Sequence, residues 1–240
     1  MTSLVPPESI KPFLDSYLPQ PKPNGLPFVT LTYAQSLDSR ISVAKGKQTV
    51  ISHLETKSMT HYIRHFHEAI LVGIGTVLAD DPKLDCRYFE KASKKHPIRP
   101  IILDPDFKMR SLYNSSTMKK VNAQKPIIFI GDHVVIDEVI ELAVVPLPLV
   151  NGQMRWMDIL KALQGMRIKS VMVEGGAKVI NDLLVYEYEG KHVVDSLIVT
   201  IGSTFLGSQG VEVSPSRGLE LKDVSWWTGE RDGVMAARIG

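Results

Sequence analysis

The chain has 240 residues, is 44% hydrophobic and 22% charged, and carries a formal net charge of +2. That is core material for one large domain or two small ones, with no electrostatic case for nucleic acid as a general partner. The single cysteine, Cys86, excludes an internal disulfide framework and a multi-cysteine zinc site. No apolar run approaches the roughly 20 residues that span a bilayer, and the N-terminus lacks the basic and apolar regions of a secretory signal. The expectation is a soluble, cytoplasmic protein with neither a membrane nor a nucleic-acid partner.

Seven of the 15 prolines precede Phe28. Proline removes backbone donors and breaks helices, so residues 1–27 are expected to form a mostly extended arm. One helical turn is expected around Ile10 to Tyr17, with the arm lying across the body or across a partner subunit, and residues 28–240 forming one domain. Phe28 to Tyr33 reads as the first strand. Ser52-His-Leu-Glu55 has the spacing of a capping box, Ser52 as N-cap, opening a helix to about His67. Ala69 to Val72, Pro100 to Asp104 and Pro126 to Gly131 are short, apolar and β-branched, the signature of buried strands. Ile136 to Leu142 reads as helix and Ala143 to Pro146 as strand. Trp156, Ile159, Leu160 and Leu163 fall at helical spacing and predict a helix over Trp156 to Met166. Ser170 to Val173 is a strand feeding a helix that ends near Tyr186, and Val193 to Thr200 is another strand. From Leu219 the tail predicts an antiparallel hairpin turning near Asp232-Gly233. Strands alternating with helices predict an α/β fold with a mostly parallel sheet, made mixed by the terminal hairpin.

Chemistry concentrates where strands end. Ligands of open α/β sheets lie at the carboxyl ends of strands, and the strand at Ala69 stops at Gly73-Ile-Gly75-Thr76, followed by Asp80-Asp81-Pro82. This is either a strand-to-helix turn needing two small residues or a cofactor loop. Its third-glycine position is Leu78, so it is not a full dinucleotide fingerprint. Thr76 offers a hydroxyl to a phosphate or ribose, and Asp80 a ribose partner or a cap. At Val173-Glu174-Gly175-Gly176-Ala177 two glycines open a helix, either as an N-cap region that needs small residues for close packing or as a place where backbone N–H groups favour an anion. Glu174 beside them is expected to face a substrate donor. Asp38 in the loop after the first strand reads, taken alone, as a solvated aspartate. Arg64 and Arg87 suit a phosphate ester by their planar fork, or pair with Glu55, Glu68 or Asp85 on the surface. His61 and His65 share a helix face but lack the zinc-protease glutamate and read as ordinary surface or partly buried histidines, and Cys86 reads as a packing residue. No metal cage is expected.

Three blocks in order resemble the riboflavin-biosynthesis reductase family: Thr32-x-x-x-Ser36-Leu37-Asp38-x-Arg40, Thr76-Val-Leu-Ala-Asp80-Asp81-Pro82-x-Leu84-x-x-Arg87, and Val173-Glu174-Gly175-Gly176-Ala177. The resemblance runs from about Phe28 to the C-terminus. It implies a dihydrofolate-reductase-like fold, NADPH as cofactor, and reduction of the ribosyl group of a diaminopyrimidinone ribosylamine 5′-phosphate. By motif it places Gly73, Gly75, Thr76, Asp80, Val173, Gly175, Gly176 and Ala177 on the cofactor and Arg64, Leu84, Arg87 and Glu174 on the substrate. It makes Glu174, with Asp38 behind it, the candidate for the proton step. The family places a small hydroxyl residue after the strand ending at Asp104. This chain has Pro105 there, which leaves Lys108 or Arg110 to reach a 2′-phosphate. Bacterial members fuse a zinc deaminase with a Pro-Cys-x-x-Cys signature, which this chain does not carry. The resemblance therefore points to the fungal branch, which acts before deamination, and to a homodimer. The alternatives are a reductase of the deaminated uracil analogue or of a dihydropterin, and a non-catalytic nucleotide-phosphate binder.

Overall fold

The computed structural model describes residues 4–89, 97–121, 124–136 and 142–240. The arm carries α1 (Ile10–Leu14) and a 3-10 turn at Asp15–Tyr17. The body runs β1 (Phe28–Gln35), β2 (Arg40–Ser42), α2 (Leu54–His65), β3 (Ala69–Gly73), α3 (Ile74–Asp80) and β4 (Arg99–Leu103). It continues with α4 (Met109–Leu112), α5 (Thr117–Val121), β5 (Ile127–Gly131), β6 (Ala143–Leu147), β7 (Leu149–Val150) and β8 (Gln153–Met154). Then come α6 (Trp156–Gly165), β9 (Ser170–Gly175), α7 (Ala177–Leu184), β10 (Glu187–Tyr188), β11 (Lys191–His192), β12 (Ser196–Ile201) and β13 (Val211–Glu212). The chain closes on β14 (Leu221–Thr228) and β15 (Gly233–Ile239).

Nine strands form one sheet in the order β14-β15-β12-β1-β9-β3-β4-β5-β6. Every pairing from β12 through β6 is parallel, and β15 and β14 add to β12 in antiparallel fashion. The apolar runs follow from that position: a parallel strand covered on both faces has no polar side to show. Alternate residues serve opposite faces. Leu31, Leu71, Ile101, Phe129 and Val173 meet α6 and α7 in one cluster, while Ile70, Val72, Ile102, Ile128 and Met172 meet α1, α2 and α4 in the other. β2 pairs with β13 and β7 with β8 in small ribbons beside the main sheet. Among the described residues no helix is long and apolar enough to cross a membrane.

The arm lies across the body. Ile10 and Leu14 are fully buried in the second cluster. Tyr17 hydrogen-bonds the carbonyl of Asp223 and, at 3.0 Å, Ser225 Oγ, and its own carbonyl accepts from Ser196 Oγ at 2.7 Å. The predicted turn at Ile10 to Tyr17 is therefore a short helix serving as core.

One local reading is corrected. The capping box at Ser52 is not formed: α2 begins at Leu54 with His53 as N-cap and no side-chain cap hydrogen bond. Its Glu55 accepts instead from the backbone N–H groups of Glu230 and Arg231, at 3.1 and 3.2 Å. The cap comes from the far hairpin, where Asp232 Oδ2 takes the N–H of His53 at 2.7 Å and the hydroxyl of Thr56. Of the two readings of the segment after Gly73, the structure has the strand-to-helix turn: α3 starts at once and holds Gly75 and Thr76 in its first turn. The predicted helix at Ile136 to Leu142 lies largely outside the described residues.

Because Asp232 is buried and caps α2 from a distant element, Asp232→Ala should destabilise the fold by about 1–3 kcal/mol, the range of a lost cap with an orphaned donor. Chemical denaturation measures this, and a loss below about 0.5 kcal/mol would show that the cap is dispensable.

Candidate active site

The carboxyl end of the parallel sheet opens into a cleft of about 750 Å³, within the usual size for a small-molecule site. Gly73, Gly75, Thr76 and Asp80 line it from the β3–α3 junction, and Gly176 and Ala177 from the β9–α7 junction. A Cβ built on Gly176 would sit 3.1 Å from Thr76 Oγ1, whereas one on Gly75 would meet nothing within 4 Å. The two junctions thus touch at Gly176 and leave open space over Gly75. The first residues of both helices line that space, and backbone N–H groups at a helix start favour an anionic ligand. Val173 and Gly175 do not line it. They are buried strand residues beneath the wall, and a Cβ on Gly175, at φ +117°, would meet Ile180 Cδ1 at 3.2 Å.

Glu174 owes its direction to an irregularity in β9. Leu71 of β3 pairs with Val173, but Val72 pairs with Gly175. Glu174 is therefore the extra residue of a bulge, a device that re-aims a side chain beside a site. Its carboxylate accepts both hydrogen bonds of a bidentate fork from Arg64, Nε to Oε1 at 2.7 Å and Nη2 to Oε2 at 2.6 Å. Arg64 Nη1 also donates to the carbonyl of Asp85 at 2.7 Å. Glu174 holds the Arg64 guanidinium charge above its ordinary range against the opposing effect of burial. Arg64 thus leaves its surface alternatives and joins α2 to the end of β9.

Arg87 stands next to this pair. Its Nε lies 3.6 Å from Asp85 Oδ1 and 3.1 Å from Nε2 of His61, a residue only 2% exposed. His61, expected at the surface or partly buried, is buried. Cys86 is a packing residue, fully buried, its thiol 3.4 Å from the His61 carbonyl. Leu84 is 2% exposed and sits in the second apolar cluster, so its side chain turns away from the cleft.

Asp38 is tied to a loop. It accepts from Ser36 Oγ and from the backbone N–H groups of Leu206, at 3.0 Å, and Gly207, at 2.7 Å. These hydrogen bonds, that of Ser36 first, lower its pKa to about 2. Its hydrogen-bond geometry is that of a loop anchor. Lys108 pairs with Asp106 at 3.3 Å, and neither Lys108 nor Arg110 lines the cleft. The lysines that do are Lys45, Lys47 and Lys178. Asp104, at the end of β4, is fully buried and accepts the N–H of Met109 at 2.7 Å, and burial raises its pKa.

Two walls of the cleft were absent from the sequence reading. One is the end of β2 and the segment after it, including Ser42, Ala44 and Thr49; the other is the β7–β8 hairpin, with Gly152, Gln153 and Met154. The second had a readable signal, since Asn151-Gly152 between apolar residues is a two-residue hairpin turn, and both residues have positive φ, +51° and +73°. The first had none. The one group of metal-ligating side chains among the described residues, His53, Glu55 and Glu230, lies at the start of α2, and its Glu55 already serves backbone donors.

The family model described as the RibD C-terminal domain matches residues 27–235. A relative from Debaryomyces hansenii, named 2,5-diamino-6-ribosylamino-4(3H)-pyrimidinone 5′-phosphate reductase, is 52% identical over 245 residues, covering 96% of either chain. The solved riboflavin biosynthesis reductase of Saccharomyces cerevisiae matches with a TM-score of 0.77 at 43% identity, over 97% of this chain and 100% of that one. Dihydrofolate reductase from Enterococcus faecalis shares the fold, with a TM-score of 0.50 at 11% identity over 89% of this chain and 96% of that one.

The depressed Asp38 carboxyl stabilises the folded state above the ordinary aspartate range near pH 3.8, and this contribution disappears as pH falls through about 2. Asp38→Asn should therefore melt below wild type at pH 5–7, with the two converging toward pH 2. Equal melting temperatures at pH 7 would show that Asp38 does not anchor the loop.

Proposed function

This chain belongs to the RibD C-terminal domain family, and on that premise we propose that it reduces the ribosyl side chain of 2,5-diamino-6-ribosylamino-4(3H)-pyrimidinone 5′-phosphate to the ribityl group with NADPH, in riboflavin biosynthesis. It is an oxidoreductase with a nucleotide cofactor. The observation that carries the reading is one junction: the Glu174–Arg64 fork ends two residues before Gly176, which lines the cleft. A substrate-orienting polar pair and a glycine-lined anion cradle are side by side, as a two-reactant site requires. The diamino substrate is favoured over the deaminated one by the name and full-length match of the Debaryomyces relative.

The cleft fits a dinucleotide. Gly75 leaves room, Thr76 offers a hydroxyl, Asp80 a ribose partner, and Gly176 and Ala177 the backbone donors for a pyrophosphate. Lys45, Lys47 and Lys178 are the lining cations that would meet a 2′-phosphate, in place of Lys108 or Arg110. When bound, NADPH supplies the hydride. The residues of the chain position the other reactant. Arg87 takes the 5′-phosphate. Arg64 and Glu174 hold the sugar end, where ring opening carries a proton to the ring oxygen and leaves a C1′=N bond for reduction. Glu174 is the group beside that proton. Asp38 keeps the Leu206–Gly207 loop in place as a positioning residue, and Leu84 contributes through its backbone. The enzyme works in the cytoplasm as a homodimer, and the edge strand β14, with Trp226 64% exposed, offers a surface for the second copy.

Nicotinamide absorbance followed with the diamino and the deaminated substrates side by side tests the assignment. Faster oxidation with the deaminated compound would reverse it, and NADPH binding without oxidation by either would make the chain a binding protein. Glu174→Gln keeps the shape but breaks the fork, and should lower kcat by about 30- to 150-fold, about 2–3 kcal/mol of charge-assisted hydrogen bonding, with KM for NADPH unchanged. Full turnover in this variant would remove Glu174 from the mechanism. Gly75→Val places a side chain in open space, so the protein should fold normally while KM for NADPH rises on the order of tenfold. Unaltered NADPH affinity would move the cofactor off α3.

A further inference from the structure

We propose that His61 is a positioning residue that fixes Arg87 in the orientation from which it takes the substrate phosphate; this rests on the reading of Arg87 as the phosphate ligand. Arg87 lies in the segment between α3 and β4, where residues 81–89 adopt no regular secondary structure. No ladder sets its direction, and a free arginine has many rotamers to lose on binding. The Arg87 carbonyl accepts from the N–H of Leu4 at 2.9 Å, and the side chain is held from α2. The His61 ring presents Nδ1 3.1 Å from the backbone N of Arg87 and Nε2 3.1 Å from its Nε and 2.8 Å from its Nη2. The His61 carbonyl lies 3.4 Å from Cys86 Sγ, so the same residue holds both Cys86 and Arg87. One turn on, Arg64 donates to the carbonyl of Asp85 at 2.7 Å. Residues 85 to 87 are thereby docked on one helix face by His61 and Arg64, which lie three apart and share it.

The chemistry is specific to an imidazole in this place. A neutral imidazole accepts at one nitrogen only, so the ring takes the Arg87 side chain as the tautomer that accepts at Nε2, and the approach of the Arg87 backbone N to Nδ1 is then a packing contact. An imidazolium would set a second cation about 3 Å from the guanidinium. Asp85 Oδ1, 3.6 Å from Arg87 Nε, faces the same guanidinium, so Arg87 is held between the imidazole and a carboxylate with 26% of its side chain still exposed. A group held in this way can receive a phosphate without reorganising, which is the purpose of a supporting shell.

Steady-state kinetics of His61→Leu, His61→Gln and Arg87→Ala, each with the 5′-phosphorylated substrate and its dephosphorylated form, test this. Leucine fills the space without an acceptor, and glutamine restores one. His61→Leu should raise KM for the phosphorylated substrate on the order of tenfold, the effect of one hydrogen bond to a charged group. Its kcat should stay within about twofold, and KM for NADPH and for the dephosphorylated substrate should be unchanged. His61→Gln should recover most of the loss. If Arg87→Ala raises KM for the phosphorylated substrate while both His61 variants match wild type, or match each other, His61 only fills space and the inference fails. If Arg87→Ala treats the two substrates alike, the reading of Arg87 itself is overturned. Should His61→Leu not fold, His61→Phe supplies the apolar variant in the same comparison.

Discussion

The fork between Arg64 and Glu174 is the constraint around which the site is organised. A bidentate guanidinium–carboxylate pair has one good geometry, and this one joins the last turn of α2 to the bulge at the end of β9. Removing either partner would leave a charge in a poorly hydrated place, which is far costlier than losing both. The position of α2 is therefore coupled to the backbone irregularity that turns Glu174 out of the ladder. The rest follows from that placement. With α2 fixed, Arg64 also catches the carbonyl of Asp85 and His61 faces Arg87. With β9 ending in the bulge, Gly175 and Gly176 start α7 against Thr76. Substrate-side and cofactor-side groups are set by the same two elements.

What was legible in the sequence was what depends on local pattern. The runs at Ala69, Pro126 and Ser170 read as buried strands because a parallel strand covered on both faces shows an apolar stretch whatever its neighbours. The glycines at Gly73, Gly75 and Gly176 marked the cleft because close approach of backbone to a ligand leaves a local trace. The capping box at Ser52 failed for the opposite reason. Its spacing is a local signal, but Asp232, far along the chain, caps α2 through His53, and Glu55 is drawn to the hairpin backbone. Asp38 likewise read as a loop aspartate because its partners, Leu206 and Gly207, are remote. The bulge at Glu174 is a property of pairing, and no single strand shows it.

The arm shows how composition can suggest the wrong weight for a segment. Seven prolines before Phe28 argue against regular structure, and most of that stretch has none. Yet Ile10 and Leu14 are fully buried, and Arg238, from the last strand, lies over the Tyr17 ring at 5.4 Å. Proline lowers the entropy of the unfolded chain, so a proline-rich segment can be laid down on a body at small cost once three apolar side chains find pockets. The arm thereby closes one face of the sheet that α2 alone would leave partly open.

The cleft divides its labour by rigidity. Its floor is made of strand ends and helix starts, where Gly75, Thr76 and Gly176 are placed by the sheet. Its walls are the segment after β2 and the β7–β8 hairpin, which carry Lys45, Lys47, Gln153 and Met154. Chemistry that needs fixed geometry belongs on the floor, and recognition of the distal part of a ligand can be left to the walls. Asp80 and Asp182 stand at the boundary, both lining the cleft, both with pKa values raised by burial. Two partly desolvated acids would oppose a polyanion if they stood alone. Lys178, on the same helix as Asp182, counters that effect, and the two helix starts add their N–H groups. A polyanionic ligand therefore enters a cleft whose balance of charge depends on α3 and α7 staying where the β3 and β9 ends put them.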